Sequence, residues 1–195
     1  MSGTDTELCE LGATQALALL KNRSISAVEL FESCVKRIDS VNPSVNAIVA
    51  IDYDSGLMQA QLADKQLASG EQTLLCGLPV AIKDLESTKG LTTAHGSLEF
   101  KDHVPPVSDP IVEHIAATGG GIFCKTNVPE FGAGANTVNK VYGATGNPFN
   151  PQKTCAGSSG GSAVALATGM VPLATGSDYG GSLRTPYLTL TVGLV

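Results

Sequence analysis

Basic residues are scarce in this sequence. Twelve Lys and Arg stand against 18 Asp and Glu, no stretch clusters four of them, and the net charge is −6. That balance argues against a nucleic-acid surface, which must neutralise phosphates, and against a polybasic membrane anchor. Long apolar runs are lacking as well. The most apolar stretch, residues 163–174, is broken by Thr168, Gly169 and Pro172. It falls short of the roughly 20 apolar residues that span a bilayer. The first ten residues, MSGTDTELCE, carry no basic-then-apolar leader. The five cysteines, Cys9, Cys34, Cys76, Cys124 and Cys155, form no CxxC pair, and none has a histidine at metal-ligand spacing. They read as ordinary buried thiols of a soluble cytoplasmic protein without a bound metal.

What is present is glycine. Its 22 copies exceed an average usage of about 7%, and they cluster after residue 75. Before that point the pattern is helical. Residues 11–40 read as a helical pair, the second helix opened by Ser26 and Glu29 as a capping box and stopped at Asn42-Pro43. Asn46 to Ile51 is a strand candidate, and Ser55 to Ala68 a third helix. From Leu74 strands and helices alternate: a strand at Pro79–Lys83, a helix opened by Asp109-Pro110, a strand in GIFCKTN, a helix from Gly161 to Thr168, and a strand in VPLATGSD. Alternation of this kind implies an α/β layered core with parallel pairing. The expected organisation is a helical N-terminal segment, 1–70, and an α/β core, 71–195. The apolar ending TVGLV suggests that the core continues in a longer protein.

Two turns, GSSGGS and DYGGS, bracket a short apolar run near the end of the chain. Neither is a phosphate loop, since GxxxxGK[ST] and GxGxxG are both absent. Gly157-Ser158-Ser159-Gly160-Gly161 fits the G-x-S-x-G nucleophile elbow, but that fold needs a later carboxylate and then a His. His95, His103 and His114 all precede Ser159, so a triad in that order cannot be assembled. A serine still needs a neighbour to take its proton, and after His the next choice is Lys. Lys83 ends the apolar strand PVAI just before the polar DLESTKG loop. As a base it must be neutral, and bringing its pKa from about 10.4 to about 7.5 costs about 4 kcal/mol, which burial can supply. Asp84 would oppose this if it touched the amine, but consecutive strand residues face opposite ways. Taken alone, Lys83 reads as a lysine snorkelling from a strand end. In the second turn, two glycines ahead of Ser182 leave backbone N–H groups open enough for an oxyanion hole, although a plain turn has the same composition.

Together Lys83 in VAIKD, Ser158 in AGSSGGS and Ser182 in SDYGGSLRTP resemble the three landmarks of the amidase signature family. Lys83 and Ser158 lie 75 residues apart, and Ser158 and Ser182 lie 24 apart. KTNVPEF and YGATGNPFNP extend the resemblance over nearly the whole chain. It implies a layered α/β fold with a mixed, mostly parallel sheet flanked by helices, incomplete at the C-terminus because family members are more than twice as long. It also implies an amide hydrolase without cofactor, acting on a small-molecule amide and leaving homo-oligomer formation open. Ser182 would be the nucleophile. Ser158, joined to Gly157 by a cis peptide, would relay the proton, and Lys83 would receive it. Backbone N–H groups of Tyr179, Gly180, Gly181 and Ser182 would form the oxyanion hole, with Ser159 and Arg184 bracing the site. The alternatives are the glutamine-hydrolysing subunit of a tRNA-dependent amidotransferase, where Gln commonly follows the Arg in place of Thr185, and an inactive fragment. YLTLTVGLV departs from the family's continuation after Pro186, and the isolated piece is expected to have reduced or no activity.

Overall fold

The computed structural model describes residues 7–190. TVGLV, which the sequence suggests continues into a longer core, lies outside the described residues. A short 3-10 turn leads into α1 (Ala13–Lys21), α2 (Ala27–Val45), β1 (Ile48–Ile51) and α3 (Tyr53–Ala68). There follow β2 (Pro79–Lys83), α4 (Pro110–Ala117) and β3 (Gly121–Thr126). Then come β4 (Val138–Asn139), β5 (Gly143–Ala144), β6 (Gly146–Asn147), β7 (Asn150–Thr154), α5 (Gly160–Ala167), β8 (Leu173–Ala174) and α6 (Arg184–Leu190).

The main sheet has the order β1-β3-β2-β8. β2 runs parallel to β3 and β8, and β1 runs antiparallel to β3. Every residue of β2 and β3 is buried, as expected of parallel strands covered on both faces. On one face Val80, Ile82 and Ile122 pack with Val112 of α4. On the other, Ala81 and Cys124 belong to a larger core that includes Ala163 and Val164 of α5 and residues of α1, α2 and α3. Within it the Phe31 and Phe123 rings meet edge-on at 5.1 Å, a geometry that adds about 1 kcal/mol to their burial. All five cysteines are buried free thiols.

The start of α2 is closed from two sides. Ser26 Oγ accepts the Glu29 N–H at 3.1 Å, and the Glu29 carboxylate accepts the Ser26 N–H at 2.8 Å. The Asp64 carboxylate of α3 takes the Ala27 and Val28 N–H groups, so the orphan donors of the first turn are satisfied. The expected stop at Asn42-Pro43 is corrected: the helix continues through Pro43 to Val45. A proline in the last turn forfeits one bond only, and Asn46, left-handed at φ 53°, closes the end by donating its N–H to the Asn42 carbonyl at 2.7 Å. VPLATGSD contributes only Leu173–Ala174 as strand. Two small hairpins, β4–β5 and β6–β7, fill the glycine- and asparagine-rich stretch ahead of the serine turns.

Candidate active site

β2 delivers Lys83 into the interior at its C-terminal end. Lys83 is opposite Thr126 of β3, while its neighbour Ile82 is opposite Lys125, so Lys83 and Lys125 leave the sheet on opposite faces. The Lys83 side chain is fully buried, and among the described residues its amine hydrogen-bonds to hydroxyl and carbonyl oxygens. Nζ lies 2.9 Å from Ser158 Oγ, 2.8 Å from Ser159 Oγ and 2.7 Å from Ser177 Oγ.

Ser158 and Ser159 reach this point because the first turn of α5 is pressed against the residues that flank β1 and β3. Gly161 donates its N–H to the Asn127 carbonyl at 3.3 Å, and a Cβ there would lie 2.5 Å from that oxygen. Ser159 stands at the N-cap position of α5, and its hydroxyl is committed elsewhere: it donates to the Ser177 carbonyl at 3.2 Å and accepts the Ser177 N–H at 3.3 Å. Ser158 Oγ has no such commitment among the described residues; its one hydrogen-bond partner is Lys83. The Gly157–Ser158 peptide is cis. Nothing in the sequence singles out Ser177 except its position directly before Asp178 in the second turn.

Ser182 is brought to the same place by its backbone. The Ser159 N–H donates to the Ser182 carbonyl at 3.2 Å. Among the described residues, no side-chain hydrogen bond joins the Ser182 hydroxyl to Ser158 or Lys83. The turn around it is organised by Asp178, whose carboxylate accepts the N–H groups of Gly181, Leu183 and Arg184 and pairs with the Arg184 guanidinium at 2.9 Å. Arg184 and these N–H groups hold the Asp178 carboxyl well below the usual carboxylate range. The N–H of Gly181, one member of the expected oxyanion set, donates to the Asp178 carboxylate three residues back at 2.7 Å. The N–H groups of Tyr179, Gly180 and Ser182 make no hydrogen bond among the described residues.

Burial pushes the Lys83 amine down to about 8, against weaker opposing pulls from Glu86 and Asp178. An unfolded chain would hold that proton to about 10.5. Between these values the unfolded state binds more protons, so the Lys83 contribution to stability rises with pH from about 8 to 10.5 and is lost as pH falls back to about 8. The buried thiols and Tyr53, all pushed up by burial, act in the opposite sense above pH 9. The expected result is therefore a difference: in urea melts, wild type should gain about 3 kcal/mol relative to Lys83→Met between pH 7.5 and 10.5. A gap that stays constant over this range would mean that Lys83 keeps its ordinary pKa.

Across the sheet the second buried lysine has the opposite setting. Lys125 Nζ lies 3.6 Å from Asp84 Oδ1, with both side chains fully buried. The Asp84 oxygens make no hydrogen bond among the described residues, and desolvation raises the carboxyl to about 6 despite Lys125 and the nearby Ala94 and Gly96 amides. No group of three His, Cys, Asp or Glu side chains that could hold a metal occurs among the described residues, and none of their helices is long and apolar enough to cross a membrane.

The layered α/β fold encloses one lysine among serine hydroxyls, with no histidine in the cluster among the described residues. The family follows from comparison: the model of the Amidase family matches residues 29–194, and the chain belongs to the amidase signature family. It is 41% identical over 167 residues to the A-type component of the Glutamyl-tRNA(Gln) amidotransferase of Coxiella burnetii, covering 86% of this chain and 35% of that protein. The corresponding component from Dehalococcoides mccartyi is 39% identical over 181 residues, covering 93% and 37%. Among solved structures, a bacterial aryl acylamidase of the amidase signature family superposes with a TM-score of 0.88 at 31% identity, covering 93% of this chain and 38% of that one. The A-type component of the Thermotoga maritima Glutamyl-tRNA(Gln) amidotransferase gives 0.77 at 27% identity, covering 95% and 38%. The chain thus spans little more than a third of the length of these relatives.

Proposed function

We propose that this chain carries the acyl-transfer machinery of an amide hydrolase, with Ser182 as nucleophile, Ser158 as proton relay and Lys83 as base. The observation that supports it is the enclosed Lys83 amine, within hydrogen-bond distance of Ser158 and free of any carboxylate contact among the described residues. A neutral amine has two N–H donors and one lone pair. Ser159 and Ser177 can accept the two N–H groups, and the lone pair is left for the Ser158 proton. Ser159 is the poorer relay because its own hydrogen is engaged by the Ser177 carbonyl.

In the first half-reaction Ser182 Oγ bonds to the amide carbonyl carbon and passes its proton to Ser158 Oγ, while the Ser158 proton moves to Lys83 Nζ. Collapse of the tetrahedral intermediate breaks the C–N bond, and the proton returns along the same path to the departing amine. Water repeats the sequence on the acyl-serine, releasing a carboxylic acid and restoring all three residues. The step requires the Ser182 hydroxyl to close on Ser158, an adjustment common in unliganded sites. The backbone bond from Ser159 to Ser182 limits how far it has to travel.

A second reading has specific support. The curated relatives at 39–41% identity are amidotransferase components, which favours glutamine as the amide and a partner protein that receives its ammonia. Thr185 after Arg184 favours a stand-alone amidase instead.

A fluorophosphonate probe tests the shared chemistry, because it reports serine activation without needing the correct acyl group. Labelling should be lost in Ser182→Ala and retained in Ser159→Ala. A folded wild type that takes up no label, or a Ser182→Ala variant that still does, would sink the proposal. Ammonia release from glutamine against that from simple amides then separates the two readings.

A further inference from the structure

The mechanism leaves the second buried lysine unused. Lys125 Nζ donates to the Glu86 carbonyl, to Thr88 Oγ1 at 3.1 Å and to Thr93 Oγ1 at 3.0 Å, in addition to its pairing with Asp84. All these partners lie in the segment that leaves the end of β2 immediately after Lys83. From there a continuous path leads back to the site. Glu86, held through its carbonyl by Lys125, accepts the Thr175 hydroxyl on its carboxylate at 2.9 Å. That same hydroxyl accepts the backbone N–H of Lys83 at 2.8 Å. The Thr175 N–H in turn donates to the Ala81 carbonyl at 2.9 Å, closing the clamp on β2.

We propose that Lys125 is a positioning residue for Lys83: it anchors the loop of residues 84–93, holds Asp84 on the far face of the sheet, and through Glu86 and Thr175 fixes the strand end that aims Lys83 at the serines. The inference rests on the reading of Lys83 as the base. Two lysines so close in the sheet then have complementary work. One is paired with a carboxylate and tied to the loop, and the other is enclosed by hydroxyls. If the loop were released, water would reach the Lys83 amine, and the desolvation that favours its neutral form would weaken.

The groups facing Lys125 are Asp84, Glu86, Asp109 and His95; those facing Lys83 are Glu86 and Asp178. Lys125→Met alone orphans the Asp84 carboxylate and can fail to fold for that reason. The decisive variant is therefore Asp84→Asn combined with Lys125→Met, which removes both charges and keeps the loop unanchored. The 195-residue chain carrying isotope-labelled lysine gives the Lys83 titration directly by NMR, with the signal assigned through Lys83→Met. In the double variant the Lys83 midpoint should rise by about one pH unit or more, and labelling of Ser182 by the fluorophosphonate should slow at least about tenfold. A residue that merely stabilised the fold would lower the melting temperature and leave the midpoint of the folded protein where it was; that result would overturn the proposal. The titration needs no catalysis, so an unreactive wild type would refute the hydrolase reading without deciding this one.

Discussion

Lys83→Met should slow fluorophosphonate labelling of Ser182 by about 10³-fold, within the range for loss of a general base, while the melting temperature moves by only a few degrees. No other group in the cluster can take the proton. It contains no histidine, and Lys125 lies across the sheet beside Asp84. The small stability effect follows from two opposing terms of similar size. Below pH 8 the folded state keeps a buried amine that would rather be in water, at a cost of about 3 kcal/mol. Against this, Lys83 makes three hydrogen bonds to serine hydroxyls, each worth about 1 kcal/mol net. Methionine removes both terms and fills nearly the same volume. Unchanged labelling in a folded Lys83→Met protein would eliminate Lys83 as base. A large stability loss with labelling intact would make it a purely structural residue.

The largest effect on stability is expected at Gly161. An alanine Cβ there would fall 2.5 Å from the Asn127 carbonyl oxygen, 2.9 Å from that of Ala47, and closer still to the Asn127 nitrogen. These obstacles are backbone, so no side chain can swing aside. The cost belongs at or above the top of the overpacking range, about 3 kcal/mol or more. For a chain of this size that is a fall in Tm of about 6–12 °C. Gly180→Ala, where a Cβ would meet nothing within 4 Å, provides the comparison and should shift Tm by little. Equal behaviour of the two variants would show that the first turn of α5 does not need its close approach. Because that approach sets Ser158 and Ser159 on Lys83, Gly161→Ala should also lose labelling in whatever fraction stays folded.

Some of this is legible from residue order alone. The capping box at Ser26 depends on atoms three residues apart, and the sequence displays both. The alternation of PVAIKD is equally local: it sends Lys83 one way and Asp84 the other, and the two side chains do meet different partners. What residue order does not carry is distance across the fold. Ser177 stands 94 positions from Lys83 yet contributes its shortest contact. The Lys125–Asp84 pair depends on the register of two parallel strands. The hairpins β4–β5 and β6–β7 lie in a stretch rich in Gly, Asn and Pro, and its ties are to distant residues: Asn46 Nδ2 donates to the Tyr142 and Ala144 carbonyls, and the Thr145 hydroxyl to the Asn46 carbonyl. Pro43 misleads for a related reason: proline chemistry forbids a helix interior, but not a final turn with an outside cap.

The five interior sulfhydryls give the molecule a property of its own. Each is sealed from solvent and none is bonded to another, so an alkylating reagent can reach them only when the surrounding structure parts. Since they are spread from Cys9 to Cys155, the order in which they react would map which regions breathe first, and the native chain serves as its own clock for those openings.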